Sequence, residues 1–577
     1  MPDSAKIPRV LKTLTLLVLF LAAGLYPAFS GCSSGGGHGQ APPGRLIYIA
    51  IDSLHPAYLS LSADAQGPGQ EGDWLMPNVR RFLSQATWYP KAKDYLIAAT
   101  DMNHLNVLAG TSTAQTGIYS VSAQVMGWDA AGAVITKDTS LAWARDDRGR
   151  PVDTIFHAWK RAWPDSKTAF ISGKGWVAEE MLGSPGLKID TVVEGGKYPD
   201  YISAPVSDSF YDPPTDTDAD CDPESDTQKN AVFPLMAHLP ANFPPDRWTV
   251  DSALKVFARE NPDLAYILLA ECDDAGHALG AAWDPEEYVP AAQPYQPPAG
   301  CTANPDWNLV SKSNPAVYRE PVLDYIRNVD SQFGRLYDGL QAGGYLTNTT
   351  VILLSDHAMN TLYRNPAWTK ADPEAATDYY QMVLNAGLGD ADNTTAYGAL
   401  GFGALYWRNG KEHVAEAKAL LEAHTAVNPR TGATECPWWV LDREDMKNGI
   451  AGVALPGELY HKWFVETDGE KTMIWPDLLL LSKGGWDLAG YGNGLNNLGL
   501  KIPLQSPKVI GPIYFMLGGH GSLDTQAIVA AISVPGKAAQ VIERDIRIAD
   551  LGVTALKRFG LQLKSTTIGT DLSADLK

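Results

Sequence analysis

Acidic and imidazole side chains follow apolar, strand-like runs at several distant places in this sequence. The run at 46–51 leads into an aspartate, the run at 264–270 into an aspartate and a histidine four positions apart, and the run at 351–354 into an aspartate–histidine pair. Another histidine stands in a glycine-rich stretch close to the last apolar run. Charge beside buried strands is costly unless it is paired or binds a metal. The side chains are Asp52, Asp273, His277, Asp356, His357 and His520.

This mixture of carboxylates and imidazoles predicts bound metal ions. Singly, each aspartate would be a turn former or helix cap, and each histidine a hydrogen-bonded surface residue. Together they are three aspartates and three of the eleven histidines, mostly at corresponding strand ends. Such ligands suit zinc best, with manganese or iron as alternatives. Six ligands exceed one tetrahedral site, so we expect two sites, and a metal pair roughly 4 Å apart is a common clamp for phosphoryl transfer.

Thr100 is a candidate nucleophile for such a site. It opens a segment whose apolar residues at 105, 108 and 109 recur at helical spacing and end near Gly110. Thr100 would then lie at a helix N-terminus, where the macrodipole and unpaired N–H groups favour a phosphate. Threonine is a poor nucleophile unless a metal stabilises its alkoxide. The alternative interpretation is an ordinary helix cap.

Alternating strands and helices are needed to bring these side chains together. Runs that are apolar on both faces are typical of central parallel strands. They occupy Leu46–Ile51, Thr168–Ile171, Leu264–Ala270, Val351–Leu354 and Ala527–Val534, and the clearest amphipathic helix runs from Pro321 to Leu346. The alternation predicts an α/β fold, a doubly wound, mostly parallel sheet flanked by helices. Ligands of such sheets bind at the carboxyl ends of the strands, so distant residues should meet there.

The pattern changes between the last two predicted strands. A helix around Lys411–His424 is followed by the strand-like run Leu478–Leu481. We therefore predict a smaller α+β cap domain, residues 358–513, inserted into the sheet domain. The catalytic core would then comprise residues 45–357 and 514–577.

Composition restricts the classes of function. The 577 residues are 45% apolar and 19% charged, which is typical of a globular protein. The formal net charge of -20 would repel a phosphate backbone, so we expect no binding to nucleic-acid polymers. A small anionic substrate remains compatible with this charge, because a bound metal reverses the local sign.

The N-terminus has the pattern of an export signal. Lys6, Arg9 and Lys12 precede the apolar run Leu14–Phe29, which is short for a membrane span. Cys32 and a following Gly/Ser stretch resemble a bacterial lipoprotein signal. We expect residues 1–32 to be a signal peptide and residues 33–44 to be a flexible linker. We also expect a lipid at Cys32 to attach the protein to the membrane on the periplasmic or cell-surface side. An ordinary cleaved signal and an uncleaved anchor are the alternatives.

Five ordered motifs resemble those of a known enzyme group. They are an aspartate after the first strand, then Thr-x-x-Asn-His, Asp-x-x-Gly-His, Asp-His-Gly-Met and Gly-x-His-Gly, found here at 52, 100–104, 273–277, 356–359 and 518–521. Ala358 replaces the usual glycine of the fourth motif. From about Arg45 to its C-terminus, the chain resembles the alkaline phosphatase superfamily, and most closely the type I phosphodiesterase/nucleotide pyrophosphatase family.

The resemblance implies a hydrolase with two zinc sites and a covalent intermediate. Thr100 would attack phosphorus to form a phosphothreonine, which water then cleaves, and Asn103 would donate a hydrogen bond to a non-bridging phosphate oxygen. The ligands implied are Asp273, His277 and His520 for one zinc, and Asp52, Asp356, His357 and the Thr100 oxygen for the other.

Two departures from the family pattern bear on the substrate. Asp101 stands where nucleotide-cleaving members usually carry an aromatic residue, and an acid would not stack on a base. Lys174 resembles the first cation of the Lys-x-Arg or Lys-x-Lys pair that binds extra phosphate charge in monoesterase and phosphonate-cleaving relatives, but Trp176 replaces the second. A surface role for Lys174 is the alternative.

These observations predict an exported phosphodiesterase that acts on small phosphate esters. A phosphomonoesterase or phosphonate hydrolase of the same superfamily is the enzymatic alternative. A surface-anchored binding protein on a degenerate hydrolase fold is the non-enzymatic one, and a broken ligand set would favour it.

Overall fold

The structure, a computed structural model, describes residues 41–577 except 66, 120–123, 130–133, 138–140, 176, 178–188, 195–245, 284–314, 363–377, 400, 429–431, 454, 467–473, 487 and 489–517. The predicted signal peptide with Cys32, most of the predicted linker, and Trp176 lie outside the described residues. Within the described ranges, no helix combines the length and the apolar character that crossing a bilayer requires.

The strands of the described chain are numbered in sequence order. They are β1 (Arg45–Ile51), β2 (Thr87–Trp88), β3 (Ala92–Lys93), β4 (Gln124–Trp128), β5 (Val134–Lys137), β6 (Thr168–Ser172), β7 (Thr191–Glu194), β8 (Leu264–Leu269), β9 (Thr349–Leu354), β10 (Asn360–Thr361), β11 (Thr394–Ala399), β12 (Phe402–Trp407), β13 (Ala426–Val427), β14 (Thr434–Glu435), β15 (Trp438–Asp442), β16 (Leu478–Ser482), β17 (Gly518–Gly519), β18 (Ala530–Ser533), β19 (Gln540–Val541) and β20 (Ile546–Arg547).

The α-helices are numbered in the same way. They are α1 (Pro77–Leu83), α2 (Thr100–Ala109), α3 (Thr113–Thr116), α4 (Ile155–Ala162), α5 (Asp246–Glu260), α6 (Glu271–Leu279), α7 (Pro315–Ala342), α8 (Tyr379–Asn385), α9 (Val414–Ala423), α10 (Arg443–Asn448), α11 (Lys462–Glu466) and α12 (Ile548–Arg558).

The central sheet confirms the predicted α/β class. Its strand order is β19-β2-β18-β9-β1-β8-β6-β7. β1 pairs in parallel with β8 on one side and β9 on the other, and β6 pairs in parallel with β8 and β7. Every residue of β8 and β9 is buried, as expected for central parallel strands covered by helices on both faces.

Alternate residues of β1 belong to two different halves of the core. Ile47, Ile49 and Ile51 share one half with apolar residues of α1, α5 and α7. Tyr48 and Ala50 share the other half with apolar residues of α2, α4 and α12. Successive side chains of a strand point to opposite faces, so this division shows helices packed on both sides of the sheet.

The long helix α7 differs from its predicted limits. The sequence predicted a start at Pro321, but the helix begins at Pro315 and continues through Pro321. Proline is tolerated in the first turn of a helix, so the earlier proline is the better start signal. The end at Ala342 agrees with the predicted stop at Gly343-Gly344, where Gly344 adopts a φ of +74°.

The last of the strands predicted from the sequence differs from the prediction in direction. The run Ala527–Val534 supplies β18, which pairs antiparallel with β9 and with β2. The start of an antiparallel strand lies at the edge where its parallel neighbours end. Residues that precede β18 in the chain therefore reach the same edge as residues that follow β1 and β9.

A second sheet lies in the stretch predicted as a cap. Its order is β11-β12-β16-β15, and all its pairs are antiparallel. The helix predicted at Lys411–His424 is found as a 3-10 turn, Lys411–His413, followed by α9. Residues Ala41–Lys577 form one compact unit, so the limits 358–513 remain a prediction.

Candidate active site

The six predicted metal ligands meet at the carboxyl edge of the central sheet. β1 leads into one aspartate, α6 after β8 carries an aspartate and a histidine one turn apart, and β9 leads into the aspartate–histidine pair. The stretch before β18 carries the last histidine, which reaches this edge because β18 is antiparallel. The buried residues are Asp52, Asp273, His277, Asp356, His357 and His520.

Two groups of ligand atoms are close enough to hold metal ions. Within each group the atoms lie within 4.8 Å of one another, and the groups are Asp52, Asp356 and His357 (the Asp52 cluster) and Asp273, His357 and His520 (the Asp273 cluster). His277 adjoins the Asp273 cluster, with Nε2 3.5 Å from Asp273 Oδ2. His357 belongs to both groups, and its ring stacks on His520 at 3.9 Å, whereas the sequence assigned it to one site.

Thr100 lies beside the Asp52 cluster at the start of α2. The helix begins at Thr100 and stops at Gly110, whose φ is +59°. Thr100 Oγ1 is 3.2 Å from His357 Nε2. The preceding residue, Ala99, has no side chain that caps the first N–H groups. The structure thus places the candidate nucleophile at the cluster to which the sequence assigned it.

Three histidines share one hydrogen-bonding arrangement. Nδ1 lies 3.1 Å from the carbonyl of Gly518 in His277, of Ala358 in His357 and of Ala98 in His520. A carbonyl only accepts hydrogen bonds, so in each neutral ring the proton is on Nδ1 and the lone pair is on Nε2. This is the arrangement that prepares a histidine to bind a metal through Nε2.

Ser53 connects the carboxylates of the two clusters. Its hydroxyl donates to Asp273 Oδ1 at 2.5 Å, and its backbone N–H donates to Asp356 Oδ1 at 3.1 Å. The same hydroxyl lies 3.0 Å from His357 Nδ1. Ser53 is buried and adopts the left-handed conformation, with φ +61°. Its position directly after Asp52 was the only sequence signal for this role.

Lys174 lies among the carboxylates and not at the rim of the site. Its Nζ is 2.5 Å from Asp273 Oδ2 and 2.8 Å from Asp52 Oδ2, and the side chain is buried. It therefore neutralises one carboxylate of each cluster. The sequence predicted it as a substrate contact, with a surface role as the alternative. The structure shows it buried, which contradicts the surface role, and held by acids of both clusters.

Burial and neighbouring charge set the protonation of the site. Burial lowers the pKa of His277, His357 and His520, so these rings are neutral at physiological pH. Burial would raise the pKa of Asp273, but Lys174 together with the neighbouring His277, His520 and His357 outweighs it and holds that pKa well below its usual range. Burial and the charge of Asp52 raise the pKa of Asp356 to about 8.

Asp246 caps the helix that carries two of the ligands. Ala270, at the start of α6, makes no side-chain cap, and Asp246 Oδ1 instead accepts from the N–H groups of Ala270 at 2.7 Å and Glu271 at 3.3 Å. A carboxylate at a helix N-terminus also interacts favourably with the helix dipole. Nothing in the sequence pattern linked Asp246 to α6, because the two meet only through the fold.

Asn103 forms hydrogen bonds with the segment that precedes α2. Its amide donates to Asp94 Oδ2 at 3.0 Å and to the carbonyl of Tyr95 at 3.1 Å, and its Oδ1 accepts from the N–H of Tyr95 at 3.2 Å. Oδ1 also lies 3.2 Å from the donating amide of Asn106. This geometry favours a role in holding the start of α2 over the phosphate contact that the resemblance implied.

The donor set fits divalent metal ions. Asp52 Oδ1 and Asp356 Oδ2 are buried and accept no hydrogen bond from any residue of the described chain. Buried carboxylate oxygens without a hydrogen-bond partner are costly, and a bound cation would compensate them. With three histidines presenting Nε2 lone pairs, the oxygen and nitrogen donors are those that zinc prefers.

Comparisons with known proteins identify the family of this chain. The family model for type I phosphodiesterase / nucleotide pyrophosphatase matches residues 46–522. No curated protein sequence gives a significant match.

Several solved structures share the fold. Human ectonucleotide pyrophosphatase / phosphodiesterase 5 is similar with a TM-score of 0.52 at 13% identity, over 92% of this chain and 99% of that one. The murine protein gives 0.50 at 14%, over 91% and 97%. Phosphonoacetate hydrolase from Sinorhizobium meliloti 1021 gives 0.50 at 16%, over 90% and 96%. The family match spans most of the chain, and the chain therefore belongs to the type I phosphodiesterase/nucleotide pyrophosphatase family.

Proposed function

We propose that this protein hydrolyses phosphoric esters, preferentially phosphodiesters, through a phosphothreonine at Thr100. The observation that carries the proposal is the position of Thr100 Oγ1, 3.2 Å from His357 Nε2 at the start of α2. A hydroxyl placed at a metal-binding cluster and at a helix N-terminus can both attack phosphorus and have its phosphate held by backbone N–H groups.

Two divalent ions, zinc by the chemistry of the donors, complete the proposed site. Asp52, Asp356 and His357 would hold one, and Asp273, His277 and His520 the other. When bound, the ions would supply Lewis-acid stabilisation of the attacking and leaving oxygens. This assignment rests on the Nε2 lone pairs and on the buried carboxylate oxygens that accept no hydrogen bond in the described chain.

The residues define a two-step reaction. The Thr100 oxygen forms a bond to phosphorus while the bond to the ester's leaving oxygen breaks, and the released alcohol takes up a proton. Water then attacks the phosphothreonine, releasing a phosphomonoester and restoring the Thr100 hydroxyl. The start of α2 would hold non-bridging oxygens throughout, since Ala99 leaves the first N–H groups without a side-chain cap.

The charges near Thr100 favour a singly charged diester. Asp101 follows the nucleophile directly and is buried. Lys174 has its charge compensated by Asp52 and Asp273. A dianionic monoester would gain little from Lys174 and would be repelled by Asp101. The presence of a buried ammonium group at the clusters is the one observation that favours a monoester or phosphonate instead.

Hydrolysis of three substrates tests the proposed preference for diesters over monoesters and phosphonates. Bis-p-nitrophenyl phosphate, p-nitrophenyl phosphate and phosphonoacetate would be compared with zinc added and after chelation. We expect the diester to have the highest kcat/KM and chelation to abolish its turnover. Faster turnover of the monoester or phosphonate would overturn the ordering, and no turnover of any of them would favour a binding protein.

Two substitutions at one position test the covalent step. Thr100→Ala should lower kcat by at least about 100-fold, because the nucleophile is lost, whereas Thr100→Ser should retain measurable turnover. Rapid acid quenching during wild-type turnover of bis-p-nitrophenyl phosphate should trap a p-nitrophenyl phosphoryl group on Thr100. Wild-type activity in Thr100→Ala would contradict the covalent mechanism.

Export to the periplasm or cell surface is proposed from the N-terminal pattern alone. The basic start, the apolar run and Cys32 support a lipoprotein-type signal. Cell fractionation of the full chain and its Cys32→Ala variant tests this. Lipid-dependent membrane association that is lost in Cys32→Ala is expected, and cytoplasmic wild-type protein would contradict export.

A further inference from the structure

His104 faces the carboxylates of the Asp52 cluster from outside it. It lies one turn after Thr100 on α2 and is fully buried. Its Nε2 is 3.5 Å from Asp356 Oδ2 and 4.0 Å from Asp52 Oδ2. Nε2 has no hydrogen-bond partner among the described residues. These distances are contacts between an imidazole edge and two acids, and the protonation of Nε2 decides whether they attract or repel.

Tyr266 holds the other side of the same ring. Its hydroxyl is 2.5 Å from His104 Nδ1, and its ring meets the imidazole edge-on, with centroids 5.6 Å apart. Tyr266 lies in the middle of β8 and is itself fixed by a cross-strand row. Tyr48 of β1 and Phe170 of β6 stand at the same register and pack on it at 5.6 and 5.1 Å. The hydroxyl is therefore held by the rigid centre of the sheet.

His104 differs from the three histidines of the clusters. Each of those has a backbone carbonyl at Nδ1, which requires the proton there. His104 has a hydroxyl at Nδ1, which can donate to an Nδ1 lone pair. The ring proton can then stand on Nε2, where it faces two carboxylates and is attracted to them. The opposite tautomer would turn a lone pair toward two acids, so the electrostatics select Nε2–H.

We propose that Tyr266 and His104 are positioning residues for the Asp52 cluster. Tyr266 donates to Nδ1 and so keeps His104 as the Nε2–H tautomer, and that N–H restrains the Asp356 and Asp52 carboxylates. His104 thus directs an N–H toward the metal-binding acids and is not a fourth ligand. The inference rests on the proposed function only in taking the Asp52 cluster as a metal site.

Zinc titration of matched variants tests the positioning role. Competition with a chromophoric chelator would resolve two binding steps, and Asp356→Ala and Asp273→Ala would assign each step to its cluster. Tyr266→Phe should weaken the Asp52-cluster step about tenfold and leave the other step within about threefold, because partners behind the ligands typically contribute 10–100-fold to metal affinity. His104→Ala should weaken the same step by about 10–100-fold.

Tyr48→Phe is the control for Tyr266→Phe. Both remove a buried hydroxyl from the same row, but Tyr48 Oη has no hydrogen-bond partner in the described part of the chain. Tyr48→Phe should leave both zinc steps within about twofold. His104→Gln tests rescue, since its side-chain N–H₂ reaches about as far as Nε2. We expect the zinc affinity of His104→Gln to be closer to that of the wild type than the affinity of His104→Ala is.

The tautomer is a readout that does not depend on activity. Long-range ¹H–¹⁵N spectra of ¹⁵N-histidine-labelled protein distinguish Nε2–H from Nδ1–H rings, and His104→Gln identifies the signal of His104. We expect the Nε2–H pattern in wild type and its loss in Tyr266→Phe. An Nδ1–H pattern in the zinc-loaded protein would make His104 a ligand and overturn the inference, as would equal zinc affinity in Tyr266→Phe and Tyr48→Phe.

The outcomes separate this inference from the proposed function. A wild-type protein that binds zinc in two steps but hydrolyses none of the three esters would contradict the proposed function and leave the positioning role standing. An active diesterase whose zinc steps are unchanged in both Tyr266→Phe and His104→Ala would contradict the positioning role and leave the proposed function standing.

Discussion

At the scale of single residues, the shortest side chain of the site belongs to a residue that contacts both clusters. Ser53 contacts Asp273, His357 and Asp356 while its backbone adopts a left-handed conformation. That conformation costs a non-glycine residue of order 1 kcal/mol, and such strain persists only where surrounding contacts require it. The contacts made by the Ser53 hydroxyl and N–H therefore account for its left-handed conformation.

Removing the Ser53 hydroxyl should loosen both clusters. We expect Ser53→Ala to lower zinc affinity about tenfold in each titration step, since Asp273 and His357 lose a partner that orients them. Ser53→Gly also lacks the hydroxyl but tolerates φ +61°. Similar losses in the two variants, with a higher Tm for the glycine, would attribute the effect to the hydroxyl. Unchanged zinc titrations in both would refute it.

The sequence predicted the ligands of the site far better than their supports. Most of the predicted ligands follow a strand, and each carries chemistry of its own and belongs to a motif. Ser53 and Asp246 carry no such signal, because their importance lies in contacts made across the fold. Lys174 was singled out by its resemblance to the first cation of a Lys-x-Arg or Lys-x-Lys pair. Its two carboxylate partners depend on the sheet order β1-β8-β6, which no local pattern specifies.

At the scale of elements, two glycine-containing segments pack at a distance that excludes a side chain. A Cβ added to Gly518 of β17 would lie 2.0 Å from the carbonyl oxygen of Gly276 in α6. This contact lets the Gly518 carbonyl reach Nδ1 of His277. The glycines that precede the two histidines thus explain part of the Asp-x-x-Gly-His and Gly-x-His-Gly patterns.

Gly518→Ala should separate β17 from α6 and displace His277. We expect zinc affinity of the Asp273 cluster to fall at least tenfold and kcat to fall with it, because backbone atoms cannot yield as a flexible side chain does. Gly67→Ala is the control, since a Cβ there meets nothing within 4 Å. A Gly518→Ala protein with wild-type titration and turnover would contradict this account of the contact.

Asp246 should contribute to the stability of α6 through its cap. Asp246→Ala is expected to lower the unfolding free energy by about 1–2 kcal/mol, the usual range for a lost cap, and to weaken zinc binding at the Asp273 cluster. Burial raises the pKa of Asp246 to about 7, so Asp246→Asn resembles its protonated form and keeps an acceptor. Urea unfolding should therefore show a smaller loss for asparagine than for alanine; equal losses would argue against the cap.

Strand direction was the main error of prediction at this scale. Apolar runs identified β1, β6, β8, β9 and β18 because each is buried on both faces. The same burial made β18 look like its parallel neighbours, although it pairs antiparallel with β9. The direction of β18 depends on where the chain re-enters the central sheet after forming the second one. The hydrophobic pattern does not specify this path.

At the scale of the whole molecule, His461 links distant parts of the chain. Its Nε2 donates to the carbonyl of Arg145 at 2.6 Å, and its Nδ1 accepts from the N–H of Phe464 at 3.2 Å. The bond from Phe464 requires the neutral ring, because Nδ1 must offer a lone pair, whereas Nε2–H can donate in either protonation state. Burial lowers its pKa to about 4 from the ordinary 6.5.

Acid should weaken the fold in part through His461. The folded-state pKa is depressed, so the contribution is present above about pH 6.5 and is lost as pH falls toward 4. Between pH 8 and pH 5 the loss from this group is about 2 kcal/mol. Urea unfolding of His461→Gln should show a correspondingly smaller pH dependence than wild type. His413→Gln, at a side chain 41% exposed, is the control and should change nothing.

The antiparallel return of β18 has a consequence for how the protein is made. Asp52 and His520 are 468 positions apart (520 minus 52), so a ribosome completes the first and last of the six ligands at very different times. At bacterial or eukaryotic elongation rates of about 5–20 residues per second, the interval is roughly 20–90 s. During translation the set of candidate ligands is therefore incomplete for most of this interval, and the proposed ion sites could be completed only when synthesis is nearly finished.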